Sequence, residues 1–245
     1  MTYCIGMMLD RGLVMMSDTR TNAGVDNIST FRKMFTWDVP DECVLTVMTA
    51  GNLATTQALV SLLEERSKAP EDREPSIFAA PSMFQVAQLV ADTLKDVISN
   101  HADAGQRADS GFNATVILGG QIKGAPPRLF LIYPEGNFIE ASADTPFFQI
   151  GETKYGKPIL VRAYDPKLSF EEAIKVMLVS FDSTIKANLS VGLPLDVQTY
   201  ETDSFKIGSQ TRVDTENAYF QIISNGWGEA LKVALDSLPN YKLET

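Results

Sequence analysis

Histidine is almost absent from this chain: His101 is the only one in 245 residues. That sets aside Ser-His-Asp and Cys-His nucleophilic sites and most zinc sites. His101 lies beside Asn100 and Asp103, where a solvated residue at a helix end is expected. Cysteine is also scarce. Cys4 and Cys43 make no disulfide framework; Cys4 reads as a buried small hydrophobe, and a reducing, cytoplasmic setting is the simplest expectation. Basic residues are outnumbered, with 21 Lys and Arg against 31 Asp and Glu, giving a formal charge of −10. Nucleic acid and anionic membrane are therefore poor partners. No apolar run reaches the ~18 residues of a membrane-spanning helix. The stretch MTYCIGMMLDRG lacks the basic and apolar regions of a signal peptide. No GxGxxG, P-loop or CxxC motif is present, Gly119-Gly120 reads as a strand-end turn, and no metal or cofactor is implied.

What remains is an ordinary globular balance, 44% hydrophobic with 21% charged. Its length, against roughly 150 residues per domain, fits one large domain, 1–245.

Strand and helix signals come in pairs. Tyr3–Met8 and Leu13–Met16 flank the turn Asp10-Arg11-Gly12, a hairpin pattern. Polar residues then run from Asp18 to Ser29 as a loop or irregular strand. Phe31–Trp37 and Cys43–Ala50 flank Val39-Pro40-Asp41-Glu42 and make a second hairpin. Asn52 is placed to cap a helix carrying Ala54, Ala58, Leu59, Leu62 and Leu63. The Pro-rich stretch Ser67–Ser82 reads as a surface loop. Phe84, Ala87, Val90, Leu94, Val97 and Ile98 then mark a long amphipathic helix. Ala114–Gly119, Arg128–Tyr133 and Asn137–Ala141 read as strands, the last two joined at Pro134-Glu135-Gly136. Gly151–Ala163 reads as helical, kinked at Pro158. Ser169 and Glu172 form a capping box for a helix bearing Ala173, Ile174, Met177, Leu178 and Phe181. Short strands are expected at Leu195–Tyr200 and Ser204–Ile207, and a final helix from Asn225-Gly226. Hairpins alternating with helix pairs fit two face-to-face sheets, each covered by helices.

The chemistry points to the N-terminus. Thr2 follows the initiator Met1, and methionine aminopeptidases act before a small second residue. Thr2 would then carry a hydroxyl nucleophile and a free α-amine titrating near ~7.7–8.0. This pairing activates a nucleophile without histidine.

Four features join Thr2. Ser17-Asp18-Thr19-Arg20 leaves the first hairpin, Lys33 opens the third strand, Thr49-Ala50-Gly51 leads into the first helix, and Tyr133-Pro-Glu-Gly136 forms a hairpin turn. With Phe181-Asp182, this set resembles the proteasome β-type family of N-terminal nucleophile hydrolases, and DTRTNAGVDNISTFRKM looks most like its bacterial ancestral β-subunit group. The resemblance implies an α+β, four-layer αββα sandwich and a threonine-type peptidase. Thr2 would be the nucleophile. Lys33 would lower its hydroxyl pKa, Asp18 would hold Lys33, the Gly51 N–H would donate to the oxyanion, and Asp182 would orient the amine. Arg20, Thr21 and Asn22 would bind an extended peptide, with Thr21, Thr49 and Leu53 lining the pocket before the scissile bond.

The match has departures. Glu152-Thr153 stands where most members carry Ser-Gly, and Ile185 replaces a serine of the network around the amine. An amidase acting on a small or modified amide and a non-catalytic scaffold are the competing functions. The resemblance also implies self-assembly, without a separate α-subunit, into a stacked or spiral ring of roughly a dozen or more copies. Phe84, Val90, Leu94, Val97, Met177, Leu178 and Phe181 are candidate contacts. The substrate would be a peptide or protein. The sequence names no unfoldase.

Overall fold

The computed structural model describes residues 2–22, 28–68, 75–103 and 111–243. The chain runs β1 (Tyr3–Leu9), β2 (Gly12–Asp18), β3 (Arg20–Asn22), β4 (Ile28–Thr30), β5 (Met34–Val39), β6 (Cys43–Gly51), α1 (Leu53–Lys68) and α2 (Met83–Asp103). It continues with β7 (Ala114–Ile122), β8 (Arg128–Ile132), β9 (Phe138–Glu140), β10 (Phe147–Gly151), α3 (Lys157–Ala163) and α4 (Phe170–Ala187). The last elements are β11 (Leu195–Glu201), β12 (Gln210–Val213) and α5 (Ala218–Asp236).

Two antiparallel five-stranded sheets form the centre, in orders β10-β1-β2-β11-β12 and β5-β6-β7-β8-β9, with β3 and β4 as a separate small ribbon. Side-chain alternation explains the layering. On β1 and β2, Tyr3, Ile5, Met7, Val14 and Met16 face Met177, Leu178 and Phe181 of α4. Their neighbours Cys4, Leu13 and Met15 turn the other way, onto Val44, Met48 and Ile117 of the second sheet. Leu45 and Val47 of β6 point out again, to Leu59 and Leu63 of α1 and Val86 and Val90 of α2. Three apolar seams thus separate four layers, the expected αββα sandwich. Strands buried on both faces need apolar residues at successive positions, which is how β1, β2 and β6 read. Among the described residues no helix is long and apolar enough to cross a membrane.

Several expectations need correction. The polar stretch after Asp18 contains the β3–β4 ribbon, although 23–27 lie outside the described residues. Lys33 precedes β5 rather than opening a strand at Phe31. The predicted helix Gly151–Ala163 is shorter: β10 ends at Gly151, and Pro158 sits at the start of α3, where its missing N–H costs nothing, so it causes no kink. The strand expected at Ser204–Ile207 is a turn with positive φ at Asp203 and Phe205, and β12 lies further on. The final helix starts at Ala218, because Asn217 Oδ1 accepts the Phe220 N–H at 2.9 Å. Val90, Leu94, Val97, Met177, Leu178 and Phe181, offered as contacts between copies, are buried in the chain's own seams, and only Phe84 is exposed. The side chain of His101 and part of the Ser67–Ser82 loop lie outside the described residues.

Candidate active site

Thr2 is fixed by its main chain. Its carbonyl accepts the Glu152 N–H at 2.7 Å, just past the end of β10. Gly151 passes so close, at φ +82°, that a Cβ there would run into the Thr2 carbonyl. The next residue, Tyr3, donates its N–H to Asp18 Oδ1 at 3.0 Å. Below it, the Tyr3 hydroxyl pairs with Ser180 Oγ at 2.7 Å and its ring packs on Phe181, 4.5 Å between centroids. Burial pushes the Tyr3 phenol up to about 12, so this anchor stays neutral.

Asp18 ends β2, where pairing with β1 and β11 encloses it completely. Lys33 Nζ reaches Asp18 Oδ1 at 2.8 Å and donates to the Arg20 carbonyl at 2.5 Å. Tyr3 and Lys33 therefore meet at one carboxylate oxygen. Burial pushes the Asp18 pKa above the usual carboxylate range, against the pull of the Lys33 ammonium and the Tyr3 N–H. The backbone of Lys33 is held as well: its carbonyl accepts the Thr49 N–H at 2.9 Å.

Gly51 closes β6 at φ +123°, a conformation only glycine takes readily. A Cβ there would collide with the Asn113 carbonyl. Asn52 then caps α1, accepting the Thr55 N–H at 3.1 Å as its sequence position predicted.

These elements enclose a cavity of about 300 Å³. Thr2, Thr21, Lys33, Thr49, Gly51 and Leu53 line it, six of the residues expected from the sequence. Asp18 lies beneath, behind Lys33. Arg32, Phe35, Ala50, Asn52, Thr56 and Gln57 complete the wall. The sequence reading missed these six as site residues. Thr56 and Gln57 follow Leu53 by three and four positions, and that helical spacing was the available signal. The wall contains no carboxylate, and the first turn of α1 brings its positive dipole end to it.

Other expected residues lie elsewhere. Asp182 is buried in α4, and its carboxylate holds Lys186 at 3.0 Å rather than lining the cavity. Arg20 turns its guanidinium to the Leu189 carbonyl at 3.0 Å. Asn22 pairs with Ile28 along the β3–β4 ribbon. Of the two departures noted above, Glu152 accepts Asn188 Nδ2 at 3.0 Å, while Ile185 packs against the α4 seam.

The proteasome-subunit family model matches residues 2–197. The chain belongs to the proteasome family. Within it, the chain is similar over nearly its whole length to solved Anbu proteins, the ancestral β-subunit group. Anbu from Yersinia bercovieri is 48% identical, with 98% of this chain and 100% of that one covered at a TM-score of 0.91. Anbu from Hyphomicrobium sp. strain MC1 is 47% identical, covering 98% and 100% at 0.88. The helical assembly of the Anbu complex from Pseudomonas aeruginosa is 45% identical, covering 98% of each chain at 0.91. No curated protein sequence matches the chain. The proteasome-type N-terminal nucleophile fold accounts for both sheets and for the β1, β2 and β6 positions that surround the cavity.

Proposed function

We propose that this Anbu-type subunit is a threonine-type hydrolase of peptide amide bonds, working after removal of Met1. The observation that carries the reading is one cavity wall holding both Thr2 and Lys33, with Lys33 Nζ 2.8 Å from the carboxylate of buried Asp18.

The chemistry follows from these positions. The α-amine of Thr2 takes the proton from its own hydroxyl, and Oγ attacks the substrate carbonyl carbon. The Lys33 ammonium stabilises the developing alkoxide. The Gly51 N–H, aided by the α1 dipole, serves the tetrahedral oxyanion. The C–N bond breaks as the amine proton passes to the leaving nitrogen, leaving an ester on Thr2. Water, deprotonated by the same amine, then hydrolyses that ester. An extended peptide lies along Arg20–Asn22 by main-chain hydrogen bonds, its side chain entering between Thr21, Thr49 and Leu53. The subunits assemble with one another, as the Pseudomonas aeruginosa relative does in a helical assembly.

A fluorogenic short-peptide amide tests the reading. The wild type releases the fluorophore and Thr2→Ala does not. Equal rates in both would overturn it.

A further inference from the structure

Two carboxylate residues flank the start of β1, and they face different parts of its main chain. Asp18 lies on one side, where it accepts the Tyr3 N–H at 3.0 Å. Glu152 lies on the other, its N–H donating to the Thr2 carbonyl at 2.7 Å. Tyr3 pairs with Gly151 in the β1–β10 ladder, so the next pair outward is Thr2 with Glu152. In an antiparallel ladder the N–H and C=O of one residue point to the same neighbouring strand, and hydrogen-bonded opposite residues exchange both bonds. The Thr2 carbonyl points to Glu152. Its nitrogen therefore does too, while the nitrogen of Tyr3 points to Asp18. Cα atoms of such a pair lie about 5.5 Å apart, within reach of a glutamate side chain.

The Glu152 carboxylate is half-buried and anchored. Asn188, which ends α4, donates Nδ2 to Glu152 Oε2 at 3.0 Å and is itself fixed by accepting the Ser190 N–H at 2.9 Å. The neighbouring cations are engaged elsewhere. Lys33 holds Asp18 and the Arg20 carbonyl, Lys186 holds Asp182 and the Ser224 carbonyl, and Arg20 holds the Leu189 carbonyl. Arg32 is exposed on the cavity wall, and Lys154 and Lys157 are exposed beyond β10. Among the described residues no ion pair includes Glu152. The Tyr3 phenol and the Cys4 thiol, both pushed up by burial, stay neutral. Removal of Met1 thus creates an ammonium on the Glu152 side of β1, beside a carboxylate that lacks a counter-charge.

We propose that Glu152 is the positioning residue of the Thr2 α-amine, its carboxylate pairing with the ammonium that loss of Met1 creates. Asp182, which the sequence offered for that role, is taken by Lys186. The pair fixes the amine next to the hydroxyl that it deprotonates. It also makes the amine a base only at higher pH, because an opposite charge within ~4–6 Å favours the charged form. The amine therefore releases its proton above the ~7.7–8.0 of a free chain terminus, and the subunit works in the alkaline range. Below that value kcat/KM falls about tenfold per pH unit. The Asp18 limb sets in at lower pH and steepens the fall.

The inference rests on the hydrolase reading, and two readouts separate them. Cyanate carbamoylates only the free-base amine, so its rate on the Thr2 α-amine of the wild type, followed by peptide mass, gives that group's pKa without any turnover. A value about one unit or more above the ordinary ~7.7–8.0 is expected, and a value within the ordinary range would overturn the proposal. The fluorogenic short-peptide amide supplies the second readout. In Glu152→Gln, which keeps an oxygen for Asn188, the amine pKa and the upper limb of kcat/KM should both move down by about one unit or more. The plateau kcat should fall as the amine loses its hold. Glu152→Asp keeps the charge and should keep the limb raised. A lower plateau in Glu152→Gln with the limb unmoved would mark a purely structural glutamate and overturn the proposal. A wild type with a raised, Glu152-dependent amine that cleaves no amide would sink the hydrolase reading alone. One that cleaves with an ordinary amine would sink only this inference, and a chain that retains Met1 would sink both.

Discussion

Lys33 and Asp18 form an ion pair of 2.8 Å from which solvent is almost wholly excluded, with side-chain exposures of 6% and 0%. Such a pair holds its geometry because either partner alone is costly. Lys33→Ala should lower hydrolysis roughly 10²–10⁴-fold, the scale of a positioned proton-transfer or charge-stabilising group. It leaves the Asp18 charge uncompensated and should cost about 3–5 kcal/mol of stability at neutral pH. Denaturant titration checks the second effect independently of the first. A fully active, fully stable variant would show that the pair serves neither role.

Acid should switch activity off earlier than an ordinary aspartate would. The Asp18 pKa is raised in the folded state, chiefly by burial. As pH falls through that value the carboxylate takes a proton and releases Lys33. The acid limb of kcat/KM should therefore lie above the ~3.9 of a free aspartate, and Asp18→Asn should flatten it while losing less activity than Lys33→Ala. Stability moves the opposite way. A folded pKa above the unfolded one means that the folded state binds this proton more tightly, so the Asp18 contribution falls as pH rises between the two values. A limb at the ordinary carboxylate pKa, unchanged in Asp18→Asn, would contradict the assignment.

Two glycines should prove irreplaceable for steric reasons. Gly51 and Gly151 both have positive φ, and a Cβ at either would strike a carbonyl, that of Asn113 or of Thr2. Gly51→Ala and Gly151→Ala should each cost at least about 1–3 kcal/mol in backbone strain and reduce turnover by displacing the oxyanion donor or Thr2 itself. Thermal unfolding and peptide hydrolysis measured together would show it. Gly124, also at positive φ but with open space around it, is the control: Gly124→Ala should leave turnover unchanged.

Much of this site was legible because its residues are close in sequence to the strands that carry them. Thr2, Asp18 and Gly51 mark the start of β1, the end of β2 and the end of β6, and apolar runs show those strands plainly. Asp182 was harder to place. Its position in α4 could be read, and Lys186 stands at the i,i+4 spacing where a partner is expected; what periodicity does not encode is whether the carboxylate turns to that lysine or to the cavity. Arg32 was missed because it does not stand out until folding brings the two ends of the wall together, and Gln57 because its helical spacing from Leu53 was not followed. The fold was misread where local signals competed. Phe147–Gly151 was not read as a strand, and its last residue, Gly151, was taken as the start of a helix, because the short run Phe-Phe-Gln-Ile carries no alternation that marks a strand. Asn225-Gly226 looked like a cap, although Gly226 and Gly228 sit inside α5 and Asn217 does the capping. The apolar residues around Phe205 suggested a strand that positive φ values forbid.

Thr2→Ala should retain the fold and lose hydrolysis by about 10³-fold or more, as loss of a nucleophile does. Thr2→Ser keeps both hydroxyl and amine, so it should remain active. Failure of the serine variant alongside the alanine variant would shift the role of Thr2 from chemistry to packing.

The most direct test is the intact mass of the protein before and after treatment with a peptidyl β-lactone, which acylates an activated hydroxyl. The account predicts a chain shorter by Met1 that gains one reagent, located on Thr2 by fragmentation and absent in Lys33→Ala. A chain that retains Met1, or one that loses it and stays unlabelled at Thr2, would contradict it.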